Sequence, residues 1–370
     1  MTRAGSLLLT GSTGMAGREI TRFLLLNTDC HVTLLLHETG RGLSRQRLLR
    51  DVFRLEPDPQ HIRRIRLVRG DLTKDRFGIG DDLYRGLADS VDGIIHAAAT
   101  TRFDLALIDA RRVNVVATEQ VVRFAKRCRN LARFAMLSTV FVSGRRRGRI
   151  LESERAHAAG FVNTYEQSKY EAEAYLESSD LPYAIYRLST LVGDSQTGFT
   201  SHFTTPHQSL RVMFLGLASL VPGLPDYSVD LIPTDWAAAT IVNLFLNHFE
   251  PGRVFHLVAG TARSYSLAQI IDESYDRLGE LDPAWKARHF PKPAIATQAA
   301  FQLLVRSAEQ AKDPLMVSVL GTLKYFTEQF SYPKDFDATN LDGAQPAPNI
   351  RDYYSRVVAY CLRTKWGRSA

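Results

Sequence analysis

The sequence predicts an α/β protein built on a doubly wound parallel sheet, followed by a smaller, mostly helical region. Three observations carry this. Short β-branched or leucine-rich runs alternate with stretches of helical spacing along the first half of the chain. The first run leads directly into a glycine-rich loop that opens a helix, and the rhythm breaks after about residue 195 into Gly, Thr, His and Pro-rich sequence.

The expected strands are residues 6–10, 32–36, 65–68, 93–96, 134–138 and 183–187. They are nearly continuous apolar runs, as strands covered on both faces must be. Residues 15–26 and 44–55 have helical spacing, as does the series Val113, Ala117, Val121, Phe124, Cys128. Parallel neighbours require crossovers of that length. Beyond the break, 236–249 reads as a helix and 254–258 as a further strand. Residues 262–330 are expected to be mostly helical, and 335–349, rich in Asp, Asn, Gly and Pro, to be a loop before a last helix near 353–362.

The 370 residues are 45% hydrophobic and 23% charged, enough to bury a sizeable core without staples. Cys30, Cys128 and Cys361 form no CxxC pair and leave an odd count, which speaks against a disulfide framework or a zinc site and fits a reducing cytoplasm. A glycine motif interrupts the first apolar run, so it reads as a strand and not a signal peptide. The longest apolar patches, such as 212–221, fall short of the roughly 18 residues that span a bilayer, leaving at most a peripheral membrane contact. The formal charge of +7 suits an anionic partner: a phosphate-bearing cofactor, coenzyme A, an acidic carrier protein or nucleic acid. Nucleic acid is set aside, because no helix-turn-helix, finger spacing or aromatic RNP pattern accompanies the charge.

The loop Thr10-Gly11-Ser12-Thr13-Gly14-Met15-Ala16-Gly17 follows an expected strand and opens an expected helix, the context of a dinucleotide loop. Gly11 permits the tight turn, Gly14 lets backbone N–H groups approach a pyrophosphate, and Gly17 lets helix and sheet pack closely. The alternative is a glycine-rich turn without a ligand. The sheet is thereby expected to be Rossmann-type, with a dinucleotide domain over 1–198 and a substrate-binding region over 199–370, of which 229–260 returns to the core. Asp71, with Leu72 beside it, follows the third strand and can accept from an adenine amino group, or simply form a surface turn. At the second strand's end, Leu36-His37-Glu38 puts no Asp at the tip: Glu38 could reach a ribose hydroxyl, while Arg41 and Arg45 follow closely enough to meet a 2′-phosphate. The cofactor is read as NADPH, with NADH as the alternative.

Tyr165 and Lys169 lie four apart in a helical pattern, so they share a face. An ammonium near the phenol stabilises tyrosinate and can bond the nicotinamide ribose, and Tyr165 can then exchange a proton with a substrate oxygen. Taken alone, the pair is equally a solvated helix face. Met136-Leu137-Ser138-Thr139 ends an apolar strand at the sheet edge where ligands of open α/β folds bind, so Thr139 could polarise a carbonyl; otherwise it caps a turn. Strand, hydroxyl and then YxxxK some 26 residues later is far more specific than its parts.

With these residues in place the chain resembles the extended short-chain dehydrogenases/reductases, and within them the thioester reductase and fatty acyl-CoA reductase branch, over roughly residues 6–260. The family's TGxTGxxG cofactor loop is matched by 10–17, and its strand-end Ser-Thr with YxxxK implies a catalytic set of Thr139, Tyr165 and Lys169, with Ser138 on the cofactor. His96-Ala97-Ala98-Ala99, followed by Phe103, looks like the segment lining the nicotinamide ribose. Asn114-Val115 with Thr118 resembles the NVxGT helix, with Ala117 where glycine is usual. Residues 187–198, RLSTLVGDSQTG, look like the RPSxVxGxSxTG segment under the nicotinamide, with Leu188 in place of proline, then Ser189 and Thr190. The branch tends to carry arginine where His37 sits, and 229–235 resembles its structural VDxxPVD segment.

The resemblance implies hydride transfer to an acyl thioester on coenzyme A or on an acidic acyl or peptidyl carrier protein, releasing thiol and aldehyde, with a second reduction to alcohol left open. The chain begins at its first strand, so the thioester is expected to arrive in trans. Arg145, Arg146, Arg147 and Arg149 would attract coenzyme A phosphates or a carrier's acidic surface, or form a solvated loop. Residues 210–220 are an acyl-tunnel wall, a lid or a membrane-facing helix, with plain core packing favoured. Two rivals stand beside this reading: a ketone or alcohol oxidoreductase or nucleotide-sugar epimerase or dehydratase of the same family, and a dinucleotide-sensing protein that is not an enzyme.

Overall fold

A computed structural model describes residues 5–37 and 44–367. Its main sheet has seven strands: β1 (Ser6–Thr10), β2 (His31–Leu36), β3 (Ile65–Arg69), β4 (Gly93–His96), β5 (Arg133–Thr139), β6 (Tyr183–Leu188) and β7 (Arg253–Leu257). Every pairing is parallel, and the order is β7-β6-β5-β4-β1-β2-β3. The order reverses between β1 and β4, which opens a crevice at the carboxyl ends of the strands where open α/β sheets bind ligands.

Strand alternation fills two layers. Leu7, Leu9, Leu34, Ile95, Ala135, Tyr186 and Phe255 pack against the helices Met15–Asn27 and Thr234–Asn247. Leu8, Leu35, Val68, Ile94, Phe134, Met136 and Ile185 pack against Asp81–Ser90, Ala117–Ala125 and Thr164–Glu177. Each such aliphatic or phenyl side chain contributes about 1.5–3 kcal/mol on burial, so these layers dominate the sheet's stability.

A third cluster lies beyond β6 and is mostly helical. It joins Leu210, Val229, Leu267, Ile271, Phe330, Tyr353 and Val357, from helices that include Thr205–Phe214, Leu267–Leu281 and Ile350–Arg363.

Several details depart from the sequence pattern. Residues 44–55 are not one α-helix: a short turn, Arg45–Arg47, runs into a π-helical stretch, Leu48–Val52. The expected loop 335–349 starts as a strand, Lys334–Phe336, paired in parallel with Gly148–Ile150. Similar short pairs join Thr190–Gly193 to Leu231–Pro233 and Leu220–Pro222 to Ala294–Ala296. Runs of three or four residues are too short to show period-2 alternation, so only tertiary pairing defines them.

Candidate active site

The glycine loop sits at the switch point. Gly11 has φ +71°, a left-handed conformation, and a Cβ there would come within 2.5 Å of the Ala98 amide nitrogen across the crevice. A Cβ on Gly17 would lie 2.1 Å from the Gly11 carbonyl oxygen, so the helix packs on its own loop only because residue 17 is glycine. The helix Met15–Asn27 begins at Gly14 with no side-chain cap and no acidic residue in its first turn. Its free N–H groups therefore offer an unblocked anion site. Ser12 Oγ and Ser138 Oγ are both buried without a hydrogen-bond partner. Buried hydroxyls are normally paired, so these two unmet groups fit a polar ligand in the crevice.

A buried hydrogen-bonded line connects this loop to the helix that carries Tyr165. Thr118 Oγ1 donates to the Asn114 carbonyl at 2.7 Å, so it must accept from His96 Nε2, 3.1 Å away. His96 Nδ1 then accepts from Thr10 Oγ1 at 2.8 Å, and Thr10 Oγ1 accepts from the Ala98 amide at 3.2 Å. This assigns a neutral imidazole, consistent with a His96 pKa pushed down to about 3 by burial and then by the Lys169 charge. Asn114 continues the line, donating to Ser168 Oγ at 2.9 Å and exchanging bonds with the Thr100 backbone. Ser168 Oγ donates to the Tyr165 carbonyl at 3.0 Å. Asn114 lies in a π-helical stretch, Arg112–Val116, and such insertions recur at functional sites because they re-aim side chains.

Thr139, Tyr165 and Lys169 converge at the end of β5. The Thr139 side chain lies close enough to the Tyr165 phenol to act on its ionisation. Thr139 Oγ1 accepts from the Phe141 amide at 3.2 Å, so it caps the next turn while facing the phenol. Phe103 packs on the Tyr165 ring with centroids 5.6 Å apart. Lys169 Nζ donates to the Leu137 carbonyl at 2.8 Å. Burial lowers its pKa to about 8, with Glu173 one turn further on acting to raise it. The lysine does not depress the Tyr165 pKa here: burial raises it, the Thr139 side chain opposes this, and Glu166 and Glu173 add to the rise. The expected lowering of the phenol is absent because the ammonium is directed at a backbone carbonyl.

Glu173 is itself held by Arg187 of β6, the two at 2.8 Å and both side chains essentially without exposure. Arg187 also donates to the Glu154 carbonyl. Tyr165, Lys169 and Glu173 thus form one helix face whose far end is neutralised from the neighbouring strand.

The remaining expected residues fall around this centre. Leu188 of β6 is in register with Thr139, and Thr190 follows at the next short strand. Ala97 and Ala98 line the crevice edge, and Ala99 is exposed. Asp71 forms a turn, its Oδ1 accepting from the Thr73 amide at 2.9 Å and hydroxyl at 2.7 Å, with Leu72 beside it half-buried. Burial works to raise the Asp71 pKa, but the Thr73 bonds and the nearby His37 and Lys74 hold it below the usual range. Arg41, with Glu38, lies outside the described residues; Arg45 is exposed on the short turn.

The 229–235 segment is structural. Asp230 accepts from the Ala259 and Gly260 amides, and Asp235 accepts from the Ser195 amide and hydroxyl.

The arginine run is not a free basic patch. Arg145 pairs with Glu328, Arg146 with Glu154 and Arg149 with Asp337, while Arg147 lies over the Tyr332 ring. Arg145, Arg147 and Arg149 tie the 145–149 loop to the 328–337 segment, while Arg146 pairs with Glu154. Residues 210–218 pack in the helical cluster and also wall an apolar cavity of about 90 Å³, lined by Leu210, Met213, Val229, Ile271, Phe330 and Tyr354 among others. Among the described residues no helix is long and apolar enough to cross a membrane.

Comparison with known proteins speaks to the family and the fold. Residues 9–241 match an NAD-binding family described as male sterility protein. A component of the linear gramicidin synthase of Brevibacillus parabrevis is 30% identical over 271 residues, covering 70% of this chain but 5% of that protein. Fatty acyl-CoA reductase 1 of Xenopus laevis is 24% identical, covering 97% of this chain and 84% of the relative. Other curated relatives are longer, and the chain spans 60% of the fatty acyl-CoA reductase wat of Drosophila melanogaster. Among solved structures, the terminal R domain from the myxalamid PKS-NRPS pathway superposes with a TM-score of 0.76 at 23% identity, over 99% of this chain and 92% of that one. A UDP-glucuronic acid 4-epimerase from Bacillus cereus in complex with NAD gives 0.66 at 17% identity, over 99% of both chains; both likenesses speak to the fold. The chain therefore belongs to the male sterility protein family, a nicotinamide-dinucleotide-binding group in the thioester reductase branch of the extended short-chain dehydrogenases/reductases.

Proposed function

We propose that this protein reduces an acyl thioester to the aldehyde, using NADPH in preference to NADH. The observation that carries the reading is the convergence of Thr139, Tyr165 and Lys169 beside the glycine loop, in a chain of this branch. In balance, thioester, hydride and proton give aldehyde and free thiol, and the bound nicotinamide supplies the hydride. The chain's own residues manage the oxygen. Tyr165 and Thr139 hold the carbonyl oxygen as negative charge develops, and Tyr165 is its proton donor. A positioned general acid contributes roughly 10²- to 10⁴-fold in rate, and an oxygen-holding donor about 10²- to 10³-fold. Lys169 holds the nicotinamide ribose through the ammonium hydrogens that its bond to the Leu137 carbonyl leaves free.

Residues 10–17 with the helix start hold the pyrophosphate, Asp71 and Leu72 the adenine, and Ala97, Ala98, Ala99, Asn114, Ser138, Leu188 and Thr190 the nicotinamide side. His37, with Arg41 outside the described residues, is assigned to the ribose that distinguishes the two cofactors. Residues outside the sheet core, 199–228 and 261–370, hold the acyl part, a reading supported by the apolar cavity among them. Relatives named as a gramicidin synthase and as fatty acyl-CoA reductases support a substrate carried on a carrier protein or on coenzyme A. Arg145, Arg146 and Arg149 already pair with acids, so the run offers a carrier less charge than its sequence suggests.

The test follows NADPH and NADH absorbance with saturating acyl-CoA while free thiol is titrated in the same cuvette, with Tyr165→Phe as control. One thiol released per reductant oxidised supports aldehyde formation, and one per two supports alcohol. Cofactor binding with neither change, on coenzyme A and carrier thioesters alike, contradicts the reading.

A further inference from the structure

Next to Tyr165, Glu166 is a carboxylate enclosed almost completely. Two sets of donors meet it. From its own end of the helix, the Val162 amide donates at 2.9 Å and Asn163 Nδ2 at 3.1 Å, while Asn163 caps the helix through the Glu166 amide at 3.0 Å. From the other end of the chain, Gln329 Nε2 donates to Glu166 Oε1, and Lys334 Nζ donates to Gln329 Oε1 at 2.7 Å. Gln329 is 3% exposed and Lys334 8%.

Burying an ammonium and a carboxylate is costly even when they compensate each other, and fastening alone does not call for it. The same segment is already held by the Lys334–Phe336 pairing with Gly148–Ile150, by Arg145 on Glu328 and by Arg149 on Asp337. Thr327 and Phe330, on either side of Gln329, line the apolar cavity. One short segment thus touches both the cavity and the first turn of the helix that presents Tyr165.

We propose that Gln329 and Lys334 are positioning residues of the active site, holding Glu166 ionised and, through it, fixing the helix turn so that Tyr165 meets Thr139. The proposal rests on the reading of Tyr165 as proton donor.

The charged groups around the relay set its pH range. Glu166 faces Lys334, Glu328 and the Tyr227 phenol; Lys334 faces Glu166 and Arg147. Burial pushes Glu166 up to about 7, with the Val162 amide and Lys334 opposing; burial pushes Lys334 down to about 8, with Glu166 opposing. As pH falls through about 7, Glu166 gains a proton and the relay loosens, giving kcat an acid limb. Loss of the Lys334 charge makes Glu166 harder to ionise, so that limb moves to higher pH.

The experiment records kcat against pH for wild type, Lys334→Met and Lys334→Arg, with NADPH affinity by fluorescence and melting temperature as readouts apart from turnover. Lys334→Met is expected to lower kcat at neutral pH about ten-fold, a barrier change of one decade, and to move the acid limb up by about one pH unit. Its thioester KM and NADPH affinity stay near wild type, and Lys334→Arg restores the limb. Should Lys334→Met not fold, Gln329→Leu carries the same test and the same expected shift. An unchanged profile, or an equal fall at every pH with an unmoved limb, overturns the proposal while leaving Tyr165 in its role. Full turnover by Tyr165→Phe, measured alongside, overturns the underlying reading whatever Lys334 does.

Discussion

Burial raises the Tyr165 pKa, so at neutral pH the phenol keeps its proton, as the proposed donor must. Replacing it by Phe removes the proton and one oxygen contact while keeping the ring that packs on Phe103. The expected outcome is a kcat loss of roughly 10²- to 10⁴-fold with unchanged cofactor affinity, read from steady-state rates and a fluorescence titration. Lys169 gives a second prediction. In the proposed mechanism its ammonium is the working form, and burial lowers its pKa to about 8 with Glu173 opposing, so turnover is expected to decline as pH rises through about 8. Activity that stays level to pH 10 would remove the lysine from the account. Gly17→Ala gives a third: the added carbon meets the Gly11 carbonyl at 2.1 Å, so the loop must shift, and the dinucleotide dissociation constant should rise at least about ten-fold, the cost of a displaced cradle. At this scale the sequence is informative about local spacing. The glycine loop and YxxxK each lie within a few residues, and one period of helix or one turn fixes their geometry. His96 as a relay, and Glu166 tied to Gln329 and Lys334, are not legible there. The partners run from Thr118, 22 residues from His96, to Gln329, 163 residues from Glu166, and only the packed fold brings them together.

The helix Thr164–Glu177 and its neighbours show what an element adds. Its inward face carries Tyr165, Lys169 and Glu173, and Arg187 supplies the compensating charge from β6. Removing one member of a buried pair strands the other, so Arg187→Met should cost about 3–5 kcal/mol in a urea unfolding curve, while Arg187→Met with Glu173→Leu should recover much of that loss. Equal costs for the single and double variants would mean that the pair is not the source. The main strands are readable because their apolar runs are long and buried on both faces. The π-helical stretch Arg112–Val116 is not, because its sequence has the spacing of ordinary helix, and only the position of Asn114 against Thr100 and Ser168 reveals the insertion. The short strand Lys334–Phe336 reads as loop for a similar reason: its pairing partner, Gly148–Ile150, is distant in sequence and gives no local signal.

For the whole molecule, the parallel sheet places the glycine loop, the end of β5 and the Tyr165 helix around one crevice, while the later helices enclose an apolar cavity. The net charge of +7 suggests a basic dock at residues 145–149, but Arg145 and Arg149 are engaged in holding the 328–337 segment and Arg146 in holding Glu154. Composition reports how many charges exist and not which are already paired. If the cavity holds the acyl chain, Met213→Trp should shorten the preferred substrate, raising KM for long thioesters several-fold with little change for short ones. Equal effects on all lengths would place the chain elsewhere. The central claim, that hydride passes to a thioester carbonyl at this crevice, is tested most directly by supplying NADPH deuterated at the transferring position with an acyl thioester and analysing the organic product by mass spectrometry. One deuterium on the former carbonyl carbon, formed with free thiol and lost in Tyr165→Phe, is the predicted result; cofactor bound without label transfer to any thioester, or label delivered only to a ketone or sugar substrate, would contradict it.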